Sequence, residues 1–183
     1  MNNRSRMRQL SFLFLLLLTL LTAACQQGYQ QRYAKTPTYV YREGYTPRLL
    51  RNGQATIPKY APARVKRVIA AANRIVGRPY RLGGGHGGNH ESAGYDCSGS
   101  VAYALRAGGM LKKGAEPTSG DFLRWGHPGF GKWMTVYAKR GHVFMIVAGL
   151  RFDTTGSGRG IGPRWYTASR RSAGFYVRRL PGY

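Results

Sequence analysis

The chain has 183 residues, of which 29 are Lys or Arg and six are Asp or Glu, so its formal net charge is +23. Hydrophobic residues make up 43% of the composition and 13 residues are tyrosines, which is enough for the core of one domain and excludes wholesale disorder. The charge predicts attraction to polyanions such as nucleic acid, anionic lipid head groups or acidic polymers of the cell envelope.

Residues 1–24 have the layout of a secretory signal peptide. Three arginines precede an uncharged, apolar stretch over 10–24, which is too short for an easy membrane span. The stretch ends in two alanines directly before Cys25 and resembles a bacterial lipoprotein signal. The resemblance implies a lipid on Cys25 that anchors the protein in the outer membrane, facing the periplasm. Ordinary cleavage after Ala24 is the alternative.

Export separates a protein from nucleic acid, and the sequence contains no zinc-finger motif and no RNA-binding aromatic motif. We therefore expect no nucleic-acid partner. An anionic envelope surface is the expected partner of the positive charge.

Residues 25–60 are predicted to be a tether between the signal and a domain over 61–183. The segment contains Gln, Tyr, Pro and Arg without apolar periodicity, which favours a disordered spacer. Its tyrosines could alternatively pack against the domain or against sugars.

Two helices are predicted at the start of the domain. Apolar residues recur at spacings of three and four over 65–76, between a proline and a glycine. The second helix is predicted over Cys97–Ala107, with Asp96 as its N-cap and two glycines after its end. A glycine-rich stretch over 83–90 separates the two helices and excludes regular structure there.

The rest of the chain is predicted to form strands after a loop-rich connection. The candidate strands are 132–138, 142–148, 150–154 and 175–180. Helices followed by antiparallel strands predict an α+β fold.

Cys97 is the central candidate for chemistry. If Cys25 carries lipid, Cys97 has no disulfide partner and is either buried filler or a working nucleophile in an oxidising compartment. At the start of a helix, unpaired N–H groups and the helix dipole favour the thiolate and can stabilise an oxyanion. Ser98 and Gly99 are small, which leaves room for a substrate backbone.

His142 is the candidate base, because it heads an apolar strand. If Ala148 and Gly149 form a two-residue turn, Asp153 lies on the same face as His142, one diagonal step away. A carboxylate there would orient the imidazole. A three-residue turn would place Thr154 there instead.

These motifs together resemble the NlpC-type family of papain-like cell-wall peptidases, over residues 65–155. The matching pieces, in order, are Gly-Arg-Pro-Tyr-Arg-Leu-Gly-Gly over 77–84, Tyr-Asp-Cys-Ser-Gly over 95–99, Thr-Ser-Gly over 118–120, Gly-His-Val over 141–143, and Phe-Asp over 152–153.

The resemblance implies a papain-like fold in which N-terminal helices pack on an antiparallel sheet. It implies a cysteine peptidase without a cofactor, in which Cys97 attacks an amide of the peptidoglycan stem peptide. His142 would be the base and Asp153 its orienting partner.

Three further residues match positions near the active site of the family. Tyr80 matches a tyrosine whose hydroxyl commonly reaches the site, and Ser98 and Ser119 match positions near the substrate groove. His86 and His90 are expected to form a rim of the cleft, because a glycine loop does not bring them together as metal ligands. No metal site is expected.

The sequence also differs from the family pattern. The third polar residue of the family is usually His rather than Asp, and the usual Pro-Gly-Asp turn before the histidine strand is replaced by Trp-Met-Thr-Val over 133–136. Two alternatives therefore stand beside the peptidoglycan hydrolase. One is a non-catalytic, envelope-binding lipoprotein that retains the fold. The other is an amidase or acyltransferase with a non-wall substrate.

Overall fold

The structure is a computed structural model that describes residues 35–88, 90–112, 114–155 and 161–183. The predicted signal peptide (1–24), Cys25 and the first part of the tether, up to residue 34, lie outside the described residues. Among the described residues, no helix has both the length and the apolar composition to cross a membrane.

The chain divides into two compact units. The described part of the smaller unit consists of residues 35–36 and 171–174, which are joined by an antiparallel bridge between Lys35 and Arg171. The larger unit contains residues 37–170 and 175–183 and is the domain described below.

Helix α1 (Ala63–Ile75) forms where the apolar periodicity predicts it. The residues that recur at spacings of three and four share one face, and that face is completely buried; they are Val65, Val68, Ile69, Ala72 and Ile75. The helix ends before Gly77, whose φ of +84° is a conformation that glycine adopts without strain. The prediction of this helix is confirmed.

Helix α2 (Cys97–Ala107) is also confirmed, together with its predicted cap. The Asp96 carboxylate accepts a hydrogen bond from the Gly99 N–H at 2.7 Å, which satisfies one of the donors that a helix start leaves unpaired. Positions 97–105 are all buried, since α2 contacts both α1 and the sheet. This central position explains why α2, unlike α1, has no polar face.

The sheet of this unit has six strands in the order β1-β6-β2-β3-β4-β5, and all neighbours are antiparallel. The strands are β1 (His127–Pro128), β2 (Met134–Lys139), β3 (His142–Val147), β4 (Leu150–Asp153), β5 (Arg164–Tyr166) and β6 (Tyr176–Arg179). Because α2 packs on this sheet and α1 packs on α2, the predicted α+β class is confirmed. The four predicted strands are observed as β2, β3, β4 and β6, whereas β1 and β5 were not predicted because segments of two or three residues carry no readable alternation.

The turn between β3 and β4 determines the register of the sheet. Ala148 has φ +49° and Gly149 has φ +89°, and Val147 pairs with Leu150 across them. This is the predicted two-residue turn, in which both central residues are left-handed. The residues after it on β4 therefore alternate as the sequence analysis expects.

Residues 37–60, predicted to belong to the tether, pack on the domain instead. The Asn73 side chain on α1 donates to the Ala55 carbonyl at 2.8 Å and accepts from the Ala55 N–H at 2.9 Å, and Ala55 is 3% exposed. The Tyr39 hydroxyl donates to the Pro47 carbonyl at 2.6 Å. The segment makes these contacts without a helix or strand, so periodicity could not reveal them. In the structure, the domain begins at residue 37 rather than 61.

Candidate active site

Cys97 occupies the first position of α2 and is a free thiol with 7% exposure. The Asp96 side chain accepts the N–H of Gly99, and the Asp96 carbonyl accepts the N–H of Ser100. Within the described residues, the N–H groups of Cys97 and Ser98 have no acceptor. The thiol therefore lies beside N–H groups that are available to an anion, at the positive end of the helix.

His142 begins β3, and its side chain is 12% exposed. Since α2 packs on β3, the imidazole lies close enough to Cys97 for the cysteine to affect the pKa of His142. Its Nε2 lies 3.0 Å from Asp153 Oδ1, which leaves Nδ1 as the nitrogen for the cysteine. The structure thus brings the predicted nucleophile and the predicted base together.

Asp153 ends β4, where the two-residue turn places it on the face of His142, and its side chain is completely buried. Its Oδ1 accepts from His142 and from the Thr155 N–H, and its Oδ2 contacts Arg151 at 2.6 Å and Arg170 at 2.5 Å. Thr154, the alternative neighbour of His142, is buried, and its hydroxyl has no hydrogen-bond partner in the part of the chain that the structure describes.

The contacts of the two titratable partners shift their pKa values in opposite directions. Burial alone would raise the pKa of Asp153, but the hydrogen bond from His142 and the charge of Arg170 lower it to about 2. Burial alone would lower the pKa of His142, but its hydrogen bond with Asp153 and its interaction with the nearby Cys97 outweigh burial and raise the pKa above its ordinary value. Asp153 is therefore an anion at neutral pH, and His142 is a competent proton acceptor for the thiol.

Tyr80 and Ser119 lie near the candidate site, as the sequence predicts. Burial raises the pKa of Tyr80, and the nearby Cys97 and Asp96 raise it further, so the phenol stays neutral beside the cysteine. The Ser119 hydroxyl accepts the Gly141 N–H at 3.2 Å and thereby supports the turn that leads into His142.

Ser98, which matches a family position near the substrate groove, lies at the start of α2. It is 6% exposed, and its hydroxyl donates to Asp96 Oδ1 at 3.0 Å. This bond directs the hydroxyl toward the N-cap of α2, so Ser98 supports the start of the helix.

Gly99 differs from its predicted role of admitting a substrate backbone. A Cβ atom there would lie 2.0 Å from the carbonyl oxygen of Gly84, so the space beside Gly99 is filled by the glycine-rich loop. The Asp96 N–H donates to the same carbonyl at 3.1 Å. Gly99 therefore allows the loop to pack against the start of α2.

His86 fastens this loop rather than forming an open rim. Its Nε2 lies 3.3 Å from Asp96 Oδ1, and its Nδ1 lies 3.4 Å from Glu116 Oε2. Within the described ranges, no group of three or more His, Cys, Asp or Glu side chains is arranged to hold a metal ion. His86 instead connects the loop to the N-cap of the cysteine helix.

Sequence reasoning missed the two arginines that contact Asp153. Arg151 could have been found, because it stands two positions before Asp153 on one strand and so shares its face. Arg170 lies 17 positions beyond Asp153, in a segment without regular structure, and no local pattern indicates its contact.

Residues 85–162 match a family model described as bacteriophage peptidoglycan hydrolase. This match supports the resemblance to NlpC-type cell-wall peptidases that the motifs predicted. Among solved structures, the chain is similar to RipD from Mycobacterium tuberculosis, which is described as a non-catalytic NlpC/p60 domain protein with an adaptation to peptidoglycan-binding function. The two are 20% identical, the match covers 66% of this chain and 99% of the RipD chain, and the TM-score is 0.47. No curated protein matches the chain.

Proposed function

We propose, from the match of residues 85–162 to a family model described as bacteriophage peptidoglycan hydrolase, that this protein is a cysteine endopeptidase that cleaves an amide bond of the peptidoglycan stem peptide. The observation that carries the proposal is the order of the three side chains: Cys97 lies near enough to affect the pKa of His142, and His142 contacts the buried, ionised Asp153 at 3.0 Å. A nucleophile, a base in hydrogen-bond contact with it and a third group that orients the base are the parts that covalent acyl transfer requires.

In the first half of the reaction, His142 Nδ1 takes the proton of the Cys97 thiol, and the sulfur attacks the carbonyl carbon of the amide. The resulting oxyanion is stabilised by the N–H groups at the start of α2. The imidazolium then gives its proton to the amide nitrogen, the carbon–nitrogen bond breaks, and the amine leaves. The acyl group remains on the sulfur as a thioester.

In the second half, His142 takes a proton from water while the water oxygen attacks the thioester carbonyl. The carbon–sulfur bond breaks, the carboxyl product leaves, and the proton on His142 returns to the sulfur. Asp153 accepts a hydrogen bond from Nε2 throughout, which keeps Nδ1 directed at the sulfur and stabilises the imidazolium in both halves.

Tyr80 has a supporting part in this proposal. Its phenol is close enough to Cys97 for the sulfur to affect its ionisation, and it is 37% exposed. A neutral hydroxyl at the edge of the site can donate a hydrogen bond to a substrate carbonyl. The raised pKa of Tyr80 keeps that donor proton in place.

The proposed location is the outer membrane, with Cys25 lipidated and the domain facing the periplasm. The support is the layout of residues 1–25, in which basic residues, an apolar stretch and two alanines precede the cysteine. The net charge of +23 suits an anionic envelope surface around the wall.

The experiment is digestion of purified peptidoglycan by the protein and its Cys97→Ser variant, with released fragments identified by mass spectrometry. The unaltered protein is expected to release peptides with new amine and carboxyl ends, and Cys97→Ser to reduce that release by about a thousandfold or more. The matched control is Cys25→Ser, which removes the other cysteine and is expected to release peptides at the unaltered rate.

Equal release by the unaltered protein and Cys97→Ser would eliminate the proposed mechanism. If all three proteins sediment with the wall and none releases peptides, the alternative of a non-catalytic wall-binding protein replaces it. Fragments whose carboxyl end is transferred to another amine would instead indicate acyl transfer.

A further inference from the structure

Arg170 contacts both members of the His142–Asp153 pair with the same nitrogen. Its Nη1 lies 2.5 Å from Asp153 Oδ2 and 3.3 Å from His142 Nε2. The Thr155 hydroxyl is also 2.5 Å from this nitrogen, and the guanidinium lies 4.7 Å from the centre of the Phe144 ring. With 22% side-chain exposure, Arg170 is enclosed by these groups.

The contacts at His142 Nε2 require opposite protonation states. A guanidinium nitrogen only donates, so Arg170 can hydrogen-bond to Nε2 only when Nε2 carries no proton. A carboxylate only accepts, so Asp153 takes a hydrogen bond from Nε2 only when Nε2 carries one. Asp153 therefore favours the protonated ring nitrogen, and Arg170 opposes it.

The charges around His142 come from every element packed against it. The titratable and charged side chains near His142 are Asp153 and Arg151 on β4, Lys139 opposite His142 on β2, Tyr166 and Arg164 on β5, Cys97 and Asp96 at the start of α2, Tyr80 before that helix, and Arg170. Arg151 meets Asp153 Oδ2, away from the imidazole, and Lys139 Nζ lies over the Phe175 ring at 4.8 Å. Among these neighbours, Arg170 is the cation with a contact to the imidazole itself.

We propose that Arg170 is a positioning residue. Its charge beside His142 Nε2 opposes the charge of Asp153 and so limits how firmly the imidazolium holds its Nδ1 proton. This rests on the proposed function, in which His142 must give its proton to the leaving amine after taking it from Cys97. A buried carboxylate alone would stabilise the imidazolium and hinder that return. The positive charge of Arg170 partly neutralises Asp153 and repels the imidazolium. His142 can therefore both take the proton from Cys97 and give it to the leaving amine.

The test is the titration of the His142 ring protons by NMR, with every protein carrying Cys97→Ser so that the thiol does not titrate. The His142 signals are assigned by their loss in a His142→Gln variant, among only four histidines in the chain. Arg170→Gln is expected to raise the titration midpoint of His142 by about one pH unit or more, because a cation in contact with the ring is removed. Arg170→Lys keeps the positive charge and is expected to keep the midpoint close to that of the protein with Arg170.

The matched control is Arg140→Gln, which removes an exposed arginine two positions before His142 and is expected to leave the midpoint within about 0.3 pH units. If Arg170→Gln does not fold, Thr155→Val provides the measurement, because it removes the oxygen that holds Arg170 and should raise the midpoint by about half a unit. An unchanged or lowered midpoint in whichever variant folds would overturn the proposal. The titration needs no substrate, so the proposal can fail while wall digestion succeeds, and the reverse.

Discussion

Asp153 is a completely buried carboxylate of the candidate site with four polar contacts. Each of its oxygens has two partners, which are His142 and the Thr155 N–H on Oδ1 and the two arginines on Oδ2. Such a group loses its hydration completely, and four donors replace the lost water contacts. The same contacts that orient His142 therefore also couple the stability of the fold to the ionisation of Asp153.

Stability should consequently depend on pH through this side chain. The pKa of Asp153 is about 2 in the folded protein, below the ordinary value of 3.8, so its ionisation stabilises the fold above about pH 4 and the contribution is lost as pH falls toward 2. The lost contribution is about 2 kcal/mol. Urea unfolding of the protein and of Asp153→Asn should show a difference in unfolding free energy that shrinks by this amount between pH 5 and pH 2. A difference that stays constant over this interval would contradict the account.

Single residues were predictable where backbone geometry alone determined their neighbours. Asp153 followed from the parity of a two-residue turn, and Cys97 from the start of a capped helix. The role of Gly99 was predicted wrongly, because a small residue admits either a substrate or another part of the chain. Arg170 was not predictable, since its contact depends on the path of an irregular segment.

The contact between α2 and the glycine-rich loop sets the position of the candidate nucleophile. The loop carbonyl of Gly84 accepts the Asp96 N–H, and Asp96 caps the helix that begins with Cys97. A Cβ atom on residue 99 would lie 2.0 Å from the same carbonyl oxygen. The loop and helix can keep this distance only if residue 99 has no side chain.

Gly99→Ala should therefore destabilise the protein, although alanine favours helices by up to about 1 kcal/mol. A Cβ atom 2.0 Å from a backbone oxygen forces the loop away from the helix, and overpacking of this kind costs about 1–3 kcal/mol. The matched control is Gly87→Ala, where a Cβ atom would meet nothing within 4 Å and little change is expected. Urea unfolding measures both, and a Gly99→Ala variant as stable as the unaltered protein would disprove the close approach.

Elements with a long periodic pattern could be predicted from the sequence. The buried stripe of α1 and the continuous apolar run of β3 are examples, because their patterns extend over several turns or pairs. The strands β1 and β5 are held by their neighbours in the sheet, and two or three residues give no pattern of their own.

The domain as a whole is larger than the sequence predicted, because residues 37–60 belong to it. Asn73 shows why this was missed. Its Oδ1 accepts hydrogen bonds from both the Ala55 N–H and Trp165 Nε1 at 2.9 Å, and its Nδ2 donates to the Ala55 carbonyl, so one polar residue joins the segment, α1 and β5. Such a connection leaves no trace in composition, which in this segment resembles that of a linker.

A molecule with this many cations can bind a wall without cutting it, so wall binding alone does not test the proposed function. The reactivity of Cys97 distinguishes a cysteine peptidase from a non-catalytic wall-binding protein. If His142 acts as the base for Cys97, the reaction of the thiol with an alkylating reagent depends on His142, whereas the reaction of a merely buried thiol does not.

The most direct test is therefore the rate of iodoacetamide alkylation of Cys97 at pH 6, measured by mass spectrometry on the Cys25→Ser protein. We predict a rate at least about tenfold above that of glutathione, and a fall of about tenfold or more in His142→Gln, because the sulfur then loses the base that takes its proton. Arg140→Gln serves as the control and should alkylate at the unaltered rate. A Cys97 that reacts no faster than glutathione, with or without His142, would contradict the claim that this cysteine is an activated nucleophile.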